Sequence, residues 1–385
     1  MRITKTFRQF YESEKSGALL LACTVLSLLL ANSSFLGESY VSFWHTHIGM
    51  MSIEQWVNDA LMAVFFLMIG LELKRELLVG ELSSPRTGLL PVFAALGGMV
   101  IPVIIYLSLN AGTNTIHGFG IPMATDIAFA LGVLSLLGKS VSFPLKVFLT
   151  AIAVIDDLGA ILIIALFYSG NISWTSLALV AVLFCILLLL NRLKINSIYI
   201  YLLLGAVMWY FMFKSGVHAT LSGILLAFVL PFQKGTKKSL SYRTQLWLHA
   251  PVAMIVLPVF ALANTAIVFG PQWDTGLLTA SSLGIILGLV LGKPIGIFLF
   301  SFFSVKSGMT KLPEGVKWNQ VLGIGLLAGI GFTMSIFITL LAFTDESHIT
   351  ESKISILCGS LISGIAGYVW LKMILQKKNK KIINV

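Results

Sequence analysis

LTAIAVIDDLGAILIIALFY (149–168) places two adjacent aspartates, Asp156 and Asp157, near the middle of an otherwise apolar run. A mostly apolar run of about 20 residues is long enough to cross a bilayer as one helix. An ionisable residue at that depth costs roughly 2.5–3.5 kcal/mol on insertion scales, and is a functional candidate by default. Two charged side by side would cost about 5–7 kcal/mol on the same scale, more than a simple structural role justifies. Neighbours on a helix point about 100° apart, so the two carboxylates face different partners. Such a pair can hold protons near neutral pH and release them when a cation arrives. The alternative is a buried ion pair with Lys293 that only holds helices together.

Composition extends the same solvent to the rest of the chain. Hydrophobic residues make up 57% of its 385 residues and charged residues 11%, where soluble domains carry about 25% charged. One core cannot hide that much apolar surface from water, which excludes a soluble globular domain. Cys23, Cys185 and Cys358 sit in separate apolar runs, with no ligand spacing and no disulfide framework. The basic N-terminus leads into the apolar run from Gly17 to Leu30 without a small-residue cleavage site, and reads as a retained first helix.

Apolar runs between polar breaks predict an all-α membrane protein, a single domain over 1–385 with twelve spans. They lie near 12–31, 53–78, 88–109, 115–138, 144–168, 175–192, 198–211, 216–230, 243–268, 276–303, 318–343 and 353–375. Lys and Arg fall mainly in alternate breaks: Lys74, Arg75 and Arg86, then Lys139 and Lys146, then Arg192 and Lys194, then Lys234, Lys237 and Lys238, with only Lys214 and Lys353 on outer turns. The loops 32–52, 110–114, 169–174 and 269–275 have none. Basic loops mark the cytoplasmic side, so both termini are expected there. The net charge of +10 then faces anionic lipid, and no aromatic interleaving suggests nucleic acid. The first outer loop, ESYVSFWHTHIGM (38–50), is rich in aromatic and β-branched residues and predicts either a short β-hairpin, which needs a partner to be stable, or an aromatic interfacial loop.

Other features point to the middle of the bilayer. In GFGIPMATDIAFALGVLSLLG (118–138), Pro122, Thr125 and Asp126 interrupt a span, because proline removes a donor and restricts the residue before it. Asp126 is placed to offset a positive helix end or bind a cation, or to act as a plain N-cap. In LVLGKPIGIFLF (289–300), Lys293 is the only basic residue deep in a run, set to offset negative helix ends or pair with an aspartate. In LLAGIGFTMSIFITLLAF (326–343), Gly329 and Gly331 permit an unwound backbone at Ile330–Thr333. Two interrupted helices in matching places point to a midplane transport site. Each is second of three in the units 88–168 and 276–375, which would start on opposite sides of the membrane and so be inverted repeats.

The motifs GLELKREL (70–77), ATDIAFALGVL (124–134), AVIDDLGAI (153–161), SGVHATLSG (215–223), LPVFALANTA (257–266), GKPIGI (292–297) and GIGFTMSIFI (329–338) resemble, in order and over nearly the whole chain, the bacterial NhaA sodium/proton antiporters. The resemblance implies a multi-pass inner-membrane secondary transporter, not an enzyme, that exports Na⁺ or Li⁺ against incoming protons, moves net charge, is activated at alkaline pH, and contributes to pH and sodium homeostasis. It implies no cofactor, and a homodimer joined through the 38–50 hairpin. By motif match, Asp157 is the leading Na⁺ ligand, with Asp156 beside it and paired to Lys293 in the inactive form. Asp126 and Thr125 sit at the helix crossing, and Lys293 compensates charge or carries a proton. Glu72, Arg75 and Glu76 line the cytoplasmic mouth and, with His218, are implied in the pH response. The segment TQLWLH (244–249) departs from the family: Gln245 and Leu246 stand where an acid and a second histidine are expected, and only His249 is kept.

Two rival readings weaken on the residues. An intramembrane aspartyl protease shares a proton between two aspartates on separate helices, but the Gly-x-Gly-Asp signature is missing and a deep lysine would spoil the dyad. The second rival is a sodium-coupled symporter or a passive channel; co-transport needs an organic-substrate site, which the sequence does not obviously provide.

Overall fold

A backbone removed from water must satisfy its own hydrogen bonds, so long apolar runs fold as helices. The computed structural model of the chain is accordingly almost all helix. It describes residues 2–80, 83, 85–168, 170, 172–233, 239–270 and 276–383, with side chains described for all of these except 2–15, 85–87, 139 and 377–383. The helices are α1 (Arg2–Ala31), α2 (Gly37–His45), α3 (Ile53–Val79), α4 (Pro85–Asn110), α5 (Ile127–Ser135), α6 (Phe143–Phe167), α7 (Trp174–Arg192), α8 (Ile198–Lys214), α9 (Leu221–Val229), α10 (Leu240–Asn264), α11 (Ala280–Lys306), α12 (Trp318–Ala328), α13 (Phe332–Ala342) and α14 (Glu346–Ile383).

Among the described residues, eight helices are long and apolar enough to cross a membrane, and nine if the bent pair α12 and α13 counts as one span. Twelve were expected. The shortfall falls on three runs. Ser16–Ala31 and α8 are apolar but shorter, and α9 has only nine residues. That last run loses its start because Gly216, at φ 79°, opens a series of tight turns through Ser222 and Gly223. The basic Lys234, Lys237 and Lys238 fall outside the described residues.

The outer-loop expectation needs correction. A β-hairpin is present, but its strands are two residues long, β1 (His47–Ile48) and β2 (Met51–Ser52), paired His47 to Ser52 and Ile48 to Met51. Gly49 at φ 68° supplies the left-handed residue that a two-residue turn needs. Residues 37–45 are helical instead. Tyr40 and Trp44 make an edge contact at 6.1 Å, one helical turn apart, whereas a strand would separate them by roughly 13 Å. The Tyr40 hydroxyl donates to the Leu262 carbonyl at 3.2 Å, and Trp44 is buried.

Backbone proximity divides the chain into two compact units. The first comprises Met1–Ala22, Ser84–Ala160 and Ile267–Val385, and the second Cys23–Ser83 and Ile161–Ala266. In the first unit, α4 and α11 meet through glycines. A methyl on Gly97 would lie 2.1 Å from the Gly296 carbonyl oxygen, and one on Gly296 would lie 2.0 Å from that of Gly97. Small residues let membrane helices approach until their backbones touch. In the second unit, α3 and α9 meet in the same way: a methyl on Gly223 would lie 2.2 Å from the Ala63 oxygen, and one on Gly70 2.7 Å from Ala227. Two helices also contain a π-turn before a proline, Gly288–Gly292 ahead of Pro294 and Val252–Val256 ahead of Pro258. Proline cannot donate and pushes away the carbonyl four residues back, so the preceding turn widens.

Gly296→Ala tests the contact between α4 and α11. Alanine is the better helix former by about 1 kcal/mol, but overpacking here should reverse that sign and cost roughly 1–3 kcal/mol. The check is the thermal unfolding midpoint of the purified protein; a higher midpoint would refute the close approach.

Candidate functional site

The candidate site lies entirely within the first unit, where two helices break. In the first break, a 3-10 stretch over Ile116–Met123 gives way to extended backbone at Ala124, and α5 starts after Asp126. In the second, α12 ends at Ala328 and α13 begins at Phe332, with a bend of 48°. The unwound residues are therefore Gly329–Gly331, starting one residue and ending two residues before the expected Ile330–Thr333. The glycines also serve a different purpose from the one expected. Gly329 and Gly331 have φ of −67° and −92°, open to any residue. Space is what excludes a side chain: a methyl on Gly329 would lie 2.3 Å from the Leu289 oxygen, and one on Gly331 2.2 Å from the Ser335 hydroxyl.

The two breaks are bonded to each other. The Asp126 amide donates to the Ile330 carbonyl at 2.7 Å, and the Ser335 hydroxyl to the Ile121 carbonyl at 2.7 Å. The Thr125 hydroxyl lies 3.0 Å from the Ala328 carbonyl at the end of α12. The Asp126 carboxylate spans two helix starts: Oδ1 accepts from the Phe129 amide at 2.9 Å, and Oδ2 from the Thr333 amide at 3.2 Å and from the Thr333 hydroxyl. A helix N-terminus carries about half a positive charge, so one carboxylate answers two of them. N-capping and charge compensation, left as alternatives by the sequence, are here the same contact.

Asp156, Asp157 and Lys293 are buried beside these two breaks, Thr125 touching both Asp156 and Lys293. Lys293 Nζ donates to Asp156 Oδ2 at 2.7 Å and to the Thr125 hydroxyl. Thr125 in turn lies 2.7 Å from the same carboxylate oxygen. A hydroxyl has one proton to give, so Thr125 can donate to Asp156 or to Ala328, and accepts from Lys293 in either case. Asp156 Oδ1 accepts no hydrogen bond among the described residues. Asp157 is 1% exposed, and Lys293 lies in the field of both carboxylates. Three predicted residues, Thr125, Asp156 and Lys293, thus join one hydrogen-bonded network, with Asp126 next to Thr125 and Asp157 next to Asp156 in the chain. No cluster of three His, Cys, Asp or Glu that could hold a resident metal occurs among the described residues.

A family model described as Na⁺/H⁺ antiporter 1 matches residues 8–371. This chain belongs to that family. Its similarity to Na⁺/H⁺ antiporter NhaA proteins runs the length of both partners. The one from Dechloromonas aromatica is 56% identical, covering 98% of this chain and 98% of the relative. That from Flavobacterium psychrophilum is 54% identical, again covering 98% of each, and that from Citrobacter koseri is 46% identical, covering 96% and 98%.

In this antiporter-family chain, the remaining predicted residues belong to the second unit. Arg75 lies 2.8 Å from Glu76 and 3.7 Å from Glu72 on α3, all three less than a quarter exposed. His218 Nε2 lies 2.6 Å from the Tyr168 carbonyl. Of the departing residues, Gln245 is buried and Leu246 exposed. Sequence reasoning missed Lys74. Lys293 is not the only lysine held away from water: Lys74 is 8% exposed, and its ammonium donates to the carbonyls of Ala227, Phe228 and Leu230 at 3.3, 2.6 and 2.7 Å. It caps the C-terminus of α9, where a cation opposes the helix dipole. The motif GLELKREL contained Lys74, but nothing in the sequence said which helix end it reaches.

Two stability outcomes follow. Lys293→Met strands a buried carboxylate, which should cost about 3–5 kcal/mol, and adding Asp156→Asn should recover much of it; thermal unfolding of the two variants checks the order. Lys74→Met should destabilise more than Lys74→Arg, which retains donors for the α9 carbonyls, by the same measurement.

Proposed function

We propose that this chain is a secondary transporter of the bacterial cytoplasmic membrane that exchanges Na⁺ or Li⁺ for protons. The observation that carries the reading is the buried Lys293–Asp156–Thr125 network next to Asp157 at the crossing of two broken helices, in a chain of the Na⁺/H⁺ antiporter 1 family. Na⁺ is a hard cation that takes oxygen ligands. Asp157 is the primary ligand, and the Asp156 oxygen that accepts no hydrogen bond is the second.

The exchange is a competition. With protons bound, Asp156 is held by Lys293, and the site has no place for a second cation. Na⁺ entering between the carboxylates replaces a proton on Asp157 and displaces the ammonium from Asp156; the freed Lys293 gives up the second proton, and both leave. Two protons returning for each Na⁺ move one net charge. Thr125 supports this switch, because its hydroxyl can turn from Asp156 to Ala328 without losing a hydrogen bond. Asp126 stays bonded to both helix starts and keeps the crossing assembled.

The wider architecture belongs to the same reading. The shorter apolar runs Ser16–Ala31, α8 and 216–230 supply the remaining three of twelve spans, with both termini cytoplasmic. The units 88–168 and 276–375 are inverted repeats, supported by the reciprocal Gly97–Gly296 contact, which a two-fold axis between α4 and α11 would generate. The exposed Ile48 and Met50 of the hairpin join two copies into a homodimer. Glu72, Arg75, Glu76 and His218 set the alkaline activation, contributing to pH and sodium homeostasis.

The decisive measurement is Na⁺-induced proton release from acidified everted vesicles, with a membrane-potential dye alongside. Exchange should respond to an imposed potential, and Asp157→Asn should abolish it at every pH while the protein still folds. Exchange indifferent to potential would remove the charge-moving cycle, and full activity in Asp157→Asn would remove that residue from the site.

A further inference from the structure

The start of α13 presents three successive amides, of Gly331, Phe332 and Thr333, that the break deprives of helical partners. Asp126 answers only Thr333. The other two converge on one atom: the hydroxyl oxygen of Ser360, on α14, accepts from the Gly331 amide at 3.2 Å and from the Phe332 amide at 3.1 Å. Ser360 is 8% exposed, and its partners are fully enclosed. The face of α14 that carries it is shaped to the break. Gly364 leaves 3.4 Å between an added methyl and the Ile330 side chain, Gly367 only 2.7 Å to Leu327, and Ser363 Oγ stands 2.7 Å from a methyl added to Gly329.

We infer that Ser360 is a positioning residue for ion exchange: by holding the Gly331 and Phe332 amides, it fixes the α13 start from which Asp126, and hence Thr125, is hung. The inference rests on the exchange reading above and adds a residue to it. The link is continuous. Ser360 fixes the backbone at 331–332. Thr333, the next residue, binds the Asp126 carboxylate, and Ile330 binds the Asp126 amide. Thr125, next to Asp126, touches both Asp156 and Lys293.

Without the hydroxyl, two buried donors at the positive end of a helix have no acceptor, and the nearest anion is Asp126. Its carboxylate would be drawn toward them and away from the Phe129 amide. Thr125 would follow, and the geometry in which Asp156 trades Lys293 for Na⁺ would loosen. The effect belongs to ion binding more than to turnover.

The experiment compares Ser360→Ala, Ser360→Thr and Ser360→Cys in everted vesicles, measuring the Na⁺ concentration for half-maximal proton release and the maximal rate per folded protein. Ser360→Ala should raise the half-saturating Na⁺ about three- to tenfold, the factor that one net hydrogen bond is worth, and Ser360→Thr, which keeps the hydroxyl, should restore it. If the alanine variant does not fold, Ser360→Cys carries the test, because sulfur keeps the volume but accepts weakly. Ser355→Ala on the same helix, whose hydroxyl bonds only to the Glu351 carbonyl one turn back, should leave half-saturation unchanged. Unaltered half-saturation in Ser360→Ala or Ser360→Cys, with wild-type exchange intact, overturns the inference alone. Absence of Na⁺-driven proton release in the wild type overturns the exchange reading, and this inference with it.

Discussion

A lysine and an aspartate in contact at zero exposure are the constraint on which the first unit depends. Desolvating two charges costs several kcal/mol per ion, and their attraction offsets this only when geometry is good and the remaining donors and acceptors are engaged. Lys293 and Asp156 meet that condition only in part. Their shared oxygen also faces Thr125, while the other Asp156 oxygen accepts no hydrogen bond. Under the exchange proposed above, the Asp156 oxygen that accepts no hydrogen bond among the described residues is where an incoming cation would bind.

The broken helices follow from the same constraint. A continuous helix hides its termini at the membrane surface, whereas a break brings them inside, where each exposed amide or carbonyl needs a partner. Here the partners are short polar side chains: Asp126 for the starts of α5 and α13, Ser360 for two amides of α13, and Thr125 near the end of α12. Each was read or overlooked in the sequence as a single polar residue, yet together they do what water does at an ordinary helix end. In the second unit, Lys74 does the same for the short helix α9.

Close glycine contacts make these arrangements possible without themselves carrying chemistry. Reciprocal backbone approach at Gly97 and Gly296, and the space kept free at Gly329 and Gly331, let helices come near enough for side chains as short as serine and threonine to bridge them. A residue with a β-carbon at any of these positions would force the neighbouring backbone or side chain to shift.

The sequence by itself determined the solvent, the helical class and the family. Apolar runs and the low charge content leave no soluble alternative, and motifs from GLELKREL to GIGFTMSIFI order the whole chain. It also picked out Asp156, Asp157, Asp126 and Lys293, because an ionisable residue in an apolar run is legible without coordinates. Tertiary structure decided what composition cannot encode. The aromatic loop at 38–45 is helix, and its Tyr40 hydroxyl reaches the Leu262 carbonyl, far away in the chain. The unwound turn moved to Gly329–Gly331, and its glycines proved to answer packing rather than φ. Ser360 and Lys74 gave no sequence signal, since a serine or a lysine looks the same whether it faces a head group or the end of another helix. Periodicity and composition report the environment of a residue, but only the fold reports its partner.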